Sequence, residues 1–348
     1  MHEPGGALSV IGGPAGLGSK VSGDSAHSES WVKGGSMWGK GGESEIDTLP
    51  PQVSVRRTFL DVLTSDKYFK WALITPLLIV LAIFAFYPML YCLYYSGHQF
   101  AMPKPAVFIG LENYRAVLHD MNFWQALARS FYLLVISVVV ELALGMAIAL
   151  LFNREFKGQN IIRGLCLLPL MISPLAMSMI WNYMLQYDLG LVNHVLARVG
   201  FSKVCWWTPK MALYMIAVTS IWQWTPFSVF VLLAGLRSLP RDAFEAAKVY
   251  GASPWYTFRR LTLPMLTPMI MIIILLRTMW LIRLFDPLYG TTRGGVATET
   301  FEWMVYRVAF VFFDVGAGST LAIISLYMTL IICALLFRVL MKSLEAGA

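Results

Sequence analysis

Charge is scarce in this chain. Asp, Glu, Lys and Arg make up 14% of its 348 residues while 57% are hydrophobic, too little charge to cover a soluble protein of this length. Cys92, Cys166, Cys205 and Cys333 stand far apart, with no C-x-x-C spacing and no histidine beside them. Neither a disulfide framework nor a zinc site can be read from them. A complete phosphate loop is also missing: Gly34 to Lys40 fits G-x-x-x-x-G-K, but Gly41 follows where Ser or Thr is needed, with no strand before it and no apolar helix after it. No charged stretch leading into a short apolar one opens the chain, so a cleavable secretory signal is not expected. Residues 1–65 read instead as a disordered, Gly/Ser-rich cytoplasmic tail, with twelve Gly and eight Ser in the first fifty positions, a composition that buries too little apolar surface to offset the entropy of ordering. The net charge of +7 would make nucleic acid a candidate partner of a soluble chain. Orientation in a bilayer explains it better here, and no nucleic acid partner is expected.

Six charge-poor runs are present, each able to supply the roughly 20 residues that cross an apolar layer of about 30 Å. They lie between Lys70 and His98, Arg129 and Arg154, Arg163 and Asp188, Lys210 and Arg237, Pro264 and Asp286, and Asp314 and Arg338. Pro169 and Pro174 interrupt the third, and Pro226 stands in the middle of the fourth. Of 27 Lys and Arg, seven precede the first run, three separate the second from the third, five the fourth from the fifth, and two follow the sixth, which puts 17 on one side of the membrane and eight on the other. Loops rich in Lys and Arg stay inside, so both termini are expected in the cytoplasm. The fold class is an all-α membrane protein with six transmembrane helices over residues 66–348, embedded in lipid.

The loop after the fourth run has the form of a docking element. Pro240 can start a helix, Asp242 and Glu245 suit its positive end, and Ala246 and Ala247 offer a small, approachable face. Gly251 allows a sharp reversal, and Ser253-Pro254 can open a second helix leading to Arg259 and Arg260. Two short helices at an angle are expected.

Glu245-Ala246-Ala247, Gly251-Ala252 and Leu263-Pro264 resemble the EAA loop of the membrane permease subunits of binding-protein-dependent ABC importers, here over 237–263. Tyr250 stands where an acid often precedes the glycine. A second set is similar to the carbohydrate branch of that family, with maltose, glycerol-phosphate and polyol permeases: Phe285-Asp286-x-x-Tyr289, Arg293-Gly294-Gly295, Thr298-x-Thr300, Tyr306-x-x-Ala309-Phe310, Asp314-x-Gly316 and Gly110-Leu111-Glu112-Asn113-Tyr114. Val296 replaces the usual proline of the glycine turn. The resemblance implies a type I importer permease in the bacterial inner membrane whose EAA loop forms coupling helices seated in an ATP-hydrolysing subunit. Its implied partners are a second permease subunit, two nucleotide-binding ATPase subunits and an extracytoplasmic solute-binding protein. ATP and Mg belong to the ATPase subunits, and this chain itself is expected to bind no cofactor or metal and to catalyse no reaction.

Buried polarity marks the expected substrate path. Arg277 and Glu141 are ionisable groups deep inside the fifth and second runs, where a charge is costly and by default functional. The two are expected either to pair or to face a wet cavity together. Arg283 lies nearer the outer surface and is expected to be satisfied there together with Asp286. In the fourth run, the resemblance places Ser220, Gln223, Trp224 and Phe227 on the path-facing stripe, with Arg277 on the facing helix. Pro226 leaves a carbonyl unbonded nearby, and aromatic rings stack on the apolar faces of sugars. The alternative is an ion-coupled secondary transporter in which Glu141 and Arg277 relay protons, although no inverted repeat relates the two halves.

Overall fold

An apolar run in lipid becomes a helix because each backbone N–H must find its acceptor within the same segment. The computed structural model describes residues 66–295 and 297–347; the Gly/Ser-rich tail and Val296 lie outside the described residues. The first run forms α1, made of Asp66–Leu81, a π-turn Ala82–Phe86 and Tyr87–Ser96. A short antiparallel pair, β1 (His98–Gln99) with β2 (Val107–Phe108), leads to α2 (Glu112–His119). There follow α3 (Met121–Phe152), α4 (Gln159–Met171), α5 (Pro174–Met184), α6 (Leu191–Arg198) and α7 (Ala212–Ser238). The remainder comprises α8 (Arg241–Val249), α9 (Pro254–Met265), α10 (Thr267–Ile282), α11 (Asp286–Tyr289), α12 (Phe301–Tyr306) and α13 (Val315–Gly347).

Four helices among the described residues are long and apolar enough to cross a membrane: Leu73–Ser96 of α1, α3, α7 and α13. Two bent pairs, α4 with α5 at 97° and α9 with α10 at 60°, complete six spans when each pair counts as one. The α4–α5 break follows from its prolines. Pro174 holds Ser173 extended (ψ 134°), Ile172 is extended as well (ψ 134°), and α5 restarts at Pro174 as its first residue. The helix α3 begins ahead of Arg129 because Asp120 caps it, its carboxylate accepting from the Asn122 N–H at 2.9 Å. Pro76 and Pro226, by contrast, sit inside continuous helices. In α7 the turn left one donor short by Pro226 also holds Thr225, whose hydroxyl donates to the Ile221 carbonyl at 2.6 Å.

The most extensive helix pair is α3 against α7, and it builds a core around Ala149, Val229, Leu232 and Leu233, which Ile273 of α10 joins. Its approach depends on Gly145: a Cβ there would lie 2.7 Å from the Ser228 Cβ and 3.3 Å from the Ser228 carbonyl carbon. Small residues let spanning helices close in this way. Gly145→Leu is therefore expected to cost about 1–3 kcal/mol by overpacking. The check is fluorescence-detected size-exclusion after heating. A melting temperature equal to that of the unsubstituted chain would contradict the close approach.

Candidate functional site

Three helices bring the two buried charges together. Arg277 of α10 donates through Nε to Glu141 Oε2 and through Nη2 to Glu141 Oε1 of α3, both at 2.6 Å, and through Nη2 to Ser220 Oγ of α7 at 3.2 Å. The pair is bidentate, which fixes orientation as well as attraction. Exposure is 1% for Arg277 and 0% for Glu141, so of the two expected arrangements the structure adopts the direct pair, closed off from any cavity. The Arg277 guanidinium also lies 4.5 Å from the Trp224 ring centroid, within cation–π range. A charge on each of two helices and a hydroxyl on the third thus tie α3, α7 and α10 at mid-span.

The four path candidates of α7 divide into two kinds. Ser220 and Gln223 are 2% and 4% exposed. Gln223 Nε2 donates to the Ile172 carbonyl at 2.8 Å, at the α4–α5 break, where the chain has no helical partner for that oxygen. Such a carbonyl needs an acceptor's partner from elsewhere in lipid, and Gln223 supplies it. Trp224 and Phe227 remain half-buried. Their rings meet edge to face at 6.3 Å, and Trp224 lies 5.3 Å from Trp280 of α10, which is itself 57% exposed. The structure therefore leaves Trp224 and Phe227 partly open, sets Arg277, tied to Ser220, against the Trp224 ring, and commits Gln223 to the α4–α5 break. Trp280 was missed by sequence reasoning; its spacing three residues after Arg277 was the available signal.

The loop after α7 forms the two angled helices α8 and α9. Gly251 is left-handed (φ +70°). The Gly251 N–H bonds the Lys248 carbonyl at 3.0 Å and the Ala252 N–H bonds the Ala247 carbonyl at 2.9 Å, which is the Schellman closure of a helix end. The interval from Ala247 to Gly251-Ala252 thus has a backbone cause. Ser253 caps α9, accepting from the Tyr256 N–H at 3.2 Å. Glu245, Ala246 and Gly251 are exposed, Ala247 and Ala252 intermediate. Beside them Val249, Tyr250 and Trp255 are 85%, 89% and 68% exposed. This apolar surface lies at the junction of α8 and α9, and Tyr250, the departure from the usual acid, is its most open member.

Past α10 the residues of the second motif hold the loop in shape. Phe285 stacks on Trp303 at 5.5 Å, the Asp314 carboxylate accepts from the Ala317 N–H at 3.0 Å, and Asn113 Nδ2 donates to the Ser96 and His98 carbonyls at 3.0 and 2.8 Å. Arg283 makes no ion pair with Asp286 among the described residues. It shares a cavity of about 170 Å³ with Glu302. Burial pushes the Glu302 carboxyl up, against the pull of Arg283 and of a hydrogen bond from Ser325. Asp286 contributes its carbonyl to Ser178 instead, at 3.2 Å.

Residues 141–344 match the family described as binding-protein-dependent transport system inner membrane component. The chain is similar to a probable ABC transporter permease of Sinorhizobium fredii, 35% identical over 81% of this chain and 92% of the relative. It is 34% identical to a trehalose/maltose transport system permease protein of Thermococcus litoralis, over 75% of this chain and 89% of that one. Its fold resembles a chain of the bacterial alginate ABC transporter solved with an alginate-bound periplasmic protein, at 20% identity and a TM-score of 0.69, covering 80% of this chain and 96% of that chain.

Proposed function

The chain belongs to the family of binding-protein-dependent transport system inner membrane components, and from that premise we propose that it is the permease subunit of an ATP-driven importer, forming half of the translocation path for a carbohydrate or related polyol. The observation that carries the reading is the α8–α9 knob. Its Schellman closure at Gly251 and its uncovered face at Val249, Tyr250 and Trp255 fit a rigid element seated in another subunit. The carbohydrate assignment is supported by the relative named for trehalose and maltose and by the half-open aromatic wall of Trp224, Phe227 and Trp280, since ring faces suit the apolar faces of sugars.

In the proposed assembly two nucleotide-binding subunits hold ATP and Mg, and closure of these subunits moves α8 and α9. A second permease subunit completes the path, and an extracytoplasmic binding protein delivers the solute. Both termini and the knob lie in the cytoplasm, on the side that carries 17 of the basic residues. Glu245, Ala246, Ala247, Gly251 and Ala252 form the coupling contact. Trp224 and Phe227 face the path, Trp224 backed by Arg277 with its partners Glu141 and Ser220, and Gln223 holds the α4–α5 break. The test is reconstitution in proteoliposomes with the partner subunits and binding protein, scanning trehalose, maltose and polyols. Uptake that needs both ATP and the binding protein is expected; uptake driven by an ion gradient without ATP would sink the proposal in favour of a secondary transporter.

A further inference from the structure

Where α3 and α7 end and α4 begins, beside α8, the chain forms a half-open cavity of about 650 Å³, within the size range of small-ligand sites. Five cations line it: Arg154, Arg163, Arg237, Arg241 and Lys248, against two acids, Glu155 and Glu245. None of the five forms an ion pair among the described residues. Four of them, all but Arg163, are exposed. Arg163 is held in place, its Nη2 donating to the Phe152 carbonyl and its guanidinium lying 5.9 Å from the Phe152 ring centroid. Its Nε, however, is buried with no hydrogen-bond partner, and Gln159 Oε1 on the same lining is likewise buried and unpartnered. Gln159 is the first residue of α4, so the positive end of a 13-residue helix opens on the same space.

We propose that this cavity is a binding site for a phosphate group, taken from an anionic lipid headgroup or from a soluble phosphate compound. Unpaired arginines present planar forks that fit phosphate oxygens in pairs, and the idle Arg163 Nε supplies a preset donor. The place is right for a headgroup: the cavity sits at the ends of three spanning helices, and basic pockets between such helices hold acidic lipids on the inner face. Leu150, Leu236 and Phe244 also line it, apolar side chains that suit the start of a lipid's acyl chains. The proposal rests on these residues alone and does not depend on what the chain transports.

The test uses the full chain purified in detergent, read by the thermal shift of tryptophan fluorescence. Inorganic phosphate is titrated against chloride at matched ionic strength. In a second arm the chain is placed in phosphatidylcholine vesicles with and without phosphatidylglycerol. Stabilisation by phosphate points to the soluble source, and stabilisation by phosphatidylglycerol alone points to the headgroup. In either case Arg154→Gln together with Arg163→Gln should weaken the apparent affinity about tenfold for each arginine removed. Arg154→Gln alone, at an exposed position, serves if the double variant does not fold. No stabilisation in either arm, or the same stabilisation in the variants, overturns the proposal.

Discussion

Arg277→Met alone should cost the fold about 3–5 kcal/mol, whereas Glu141→Leu combined with Arg277→Met should come close to neutral. The asymmetry follows from burial. Removing the guanidinium leaves the Glu141 carboxylate, 0% exposed, without either of its two 2.6 Å donors. An uncompensated charge is what such a site tolerates least. Removing both charges leaves two apolar side chains in their place, with Ser220 losing a 3.2 Å contact and Trp224 its cation–π partner. Melting temperatures of the four chains in a thermodynamic cycle check this. A loss in the double variant equal to the sum of the two single losses would mean the pair is not coupled.

The same double variant separates two roles for the pair. Arg277 and Glu141 lie behind Trp224, the guanidinium 4.5 Å from its ring centroid. If they only support the aromatic wall, a folded double variant keeps ATP-dependent uptake, with a changed solute preference where Trp224 loses its backing. A proton relay through Glu141 requires the carboxylate itself, so retained uptake also removes that mechanism.

How far this arrangement could be read in the sequence varies from residue to residue. The six spans were legible because each charge-poor apolar run has one stable solution in lipid, a helix that satisfies its own backbone. Pro169 and Pro174 announced a break in the third span, but its 97° angle did not follow from them. Nor did the role of Gln223, since nothing local says that a residue of α7 must complete the carbonyl of Ile172, fifty-one positions away. Glu141 and Arg277 were legible as partners because they lie deep inside the second and fifth apolar runs with opposite signs, and among the described residues they are the two buried members of the Asp, Glu, Lys and Arg set. The third member, Ser220, was read as part of a path wall, and its place beside Arg277 came from tertiary packing. Pro226, read as leaving a carbonyl unbonded in the middle of the fourth run, sits inside an unbroken α7 that packs against α3 and α4, with the Thr225 hydroxyl donating to Ile221 in the same turn. Arg283 was assigned to its near neighbour in sequence, Asp286, while the fold sets it beside Glu302. Local spacing predicts pairs within one helix well; pairs across helices depend on rotations that spacing does not encode.

Glu245→Lys with Gly251→Arg should abolish uptake while leaving solute capture by the binding protein unchanged. Each substitution acts on a separate link of the proposed coupling. At Gly251 the backbone is left-handed at φ +70°, a conformation that costs an L-residue about 1–2 kcal/mol. The N–H bonds from Gly251 and Ala252 to Lys248 and Ala247 depend on it. Losing the closure lets α8 swing relative to α9, so a push on one is no longer delivered to α10 and the Arg277 clamp. Nothing lies within 4 Å of a Cβ at Gly251, so the loss comes from backbone conformation and from a bulky, charged side chain on the docking face, with the core undisturbed. At Glu245, exposed on α8, reversal of charge acts on the partner contact and on the basic cavity that Glu245 also lines, with no buried partner lost. The chain should therefore reach the membrane in normal amount and melt within a few degrees of the unsubstituted protein, yet fail to co-purify with the ATPase subunits. Gly251→Ala distinguishes the two contributions: it keeps the surface small while imposing the strain. A partial loss of uptake is expected from it, and full activity in Gly251→Ala with none in Gly251→Arg would place the whole effect on the docking face.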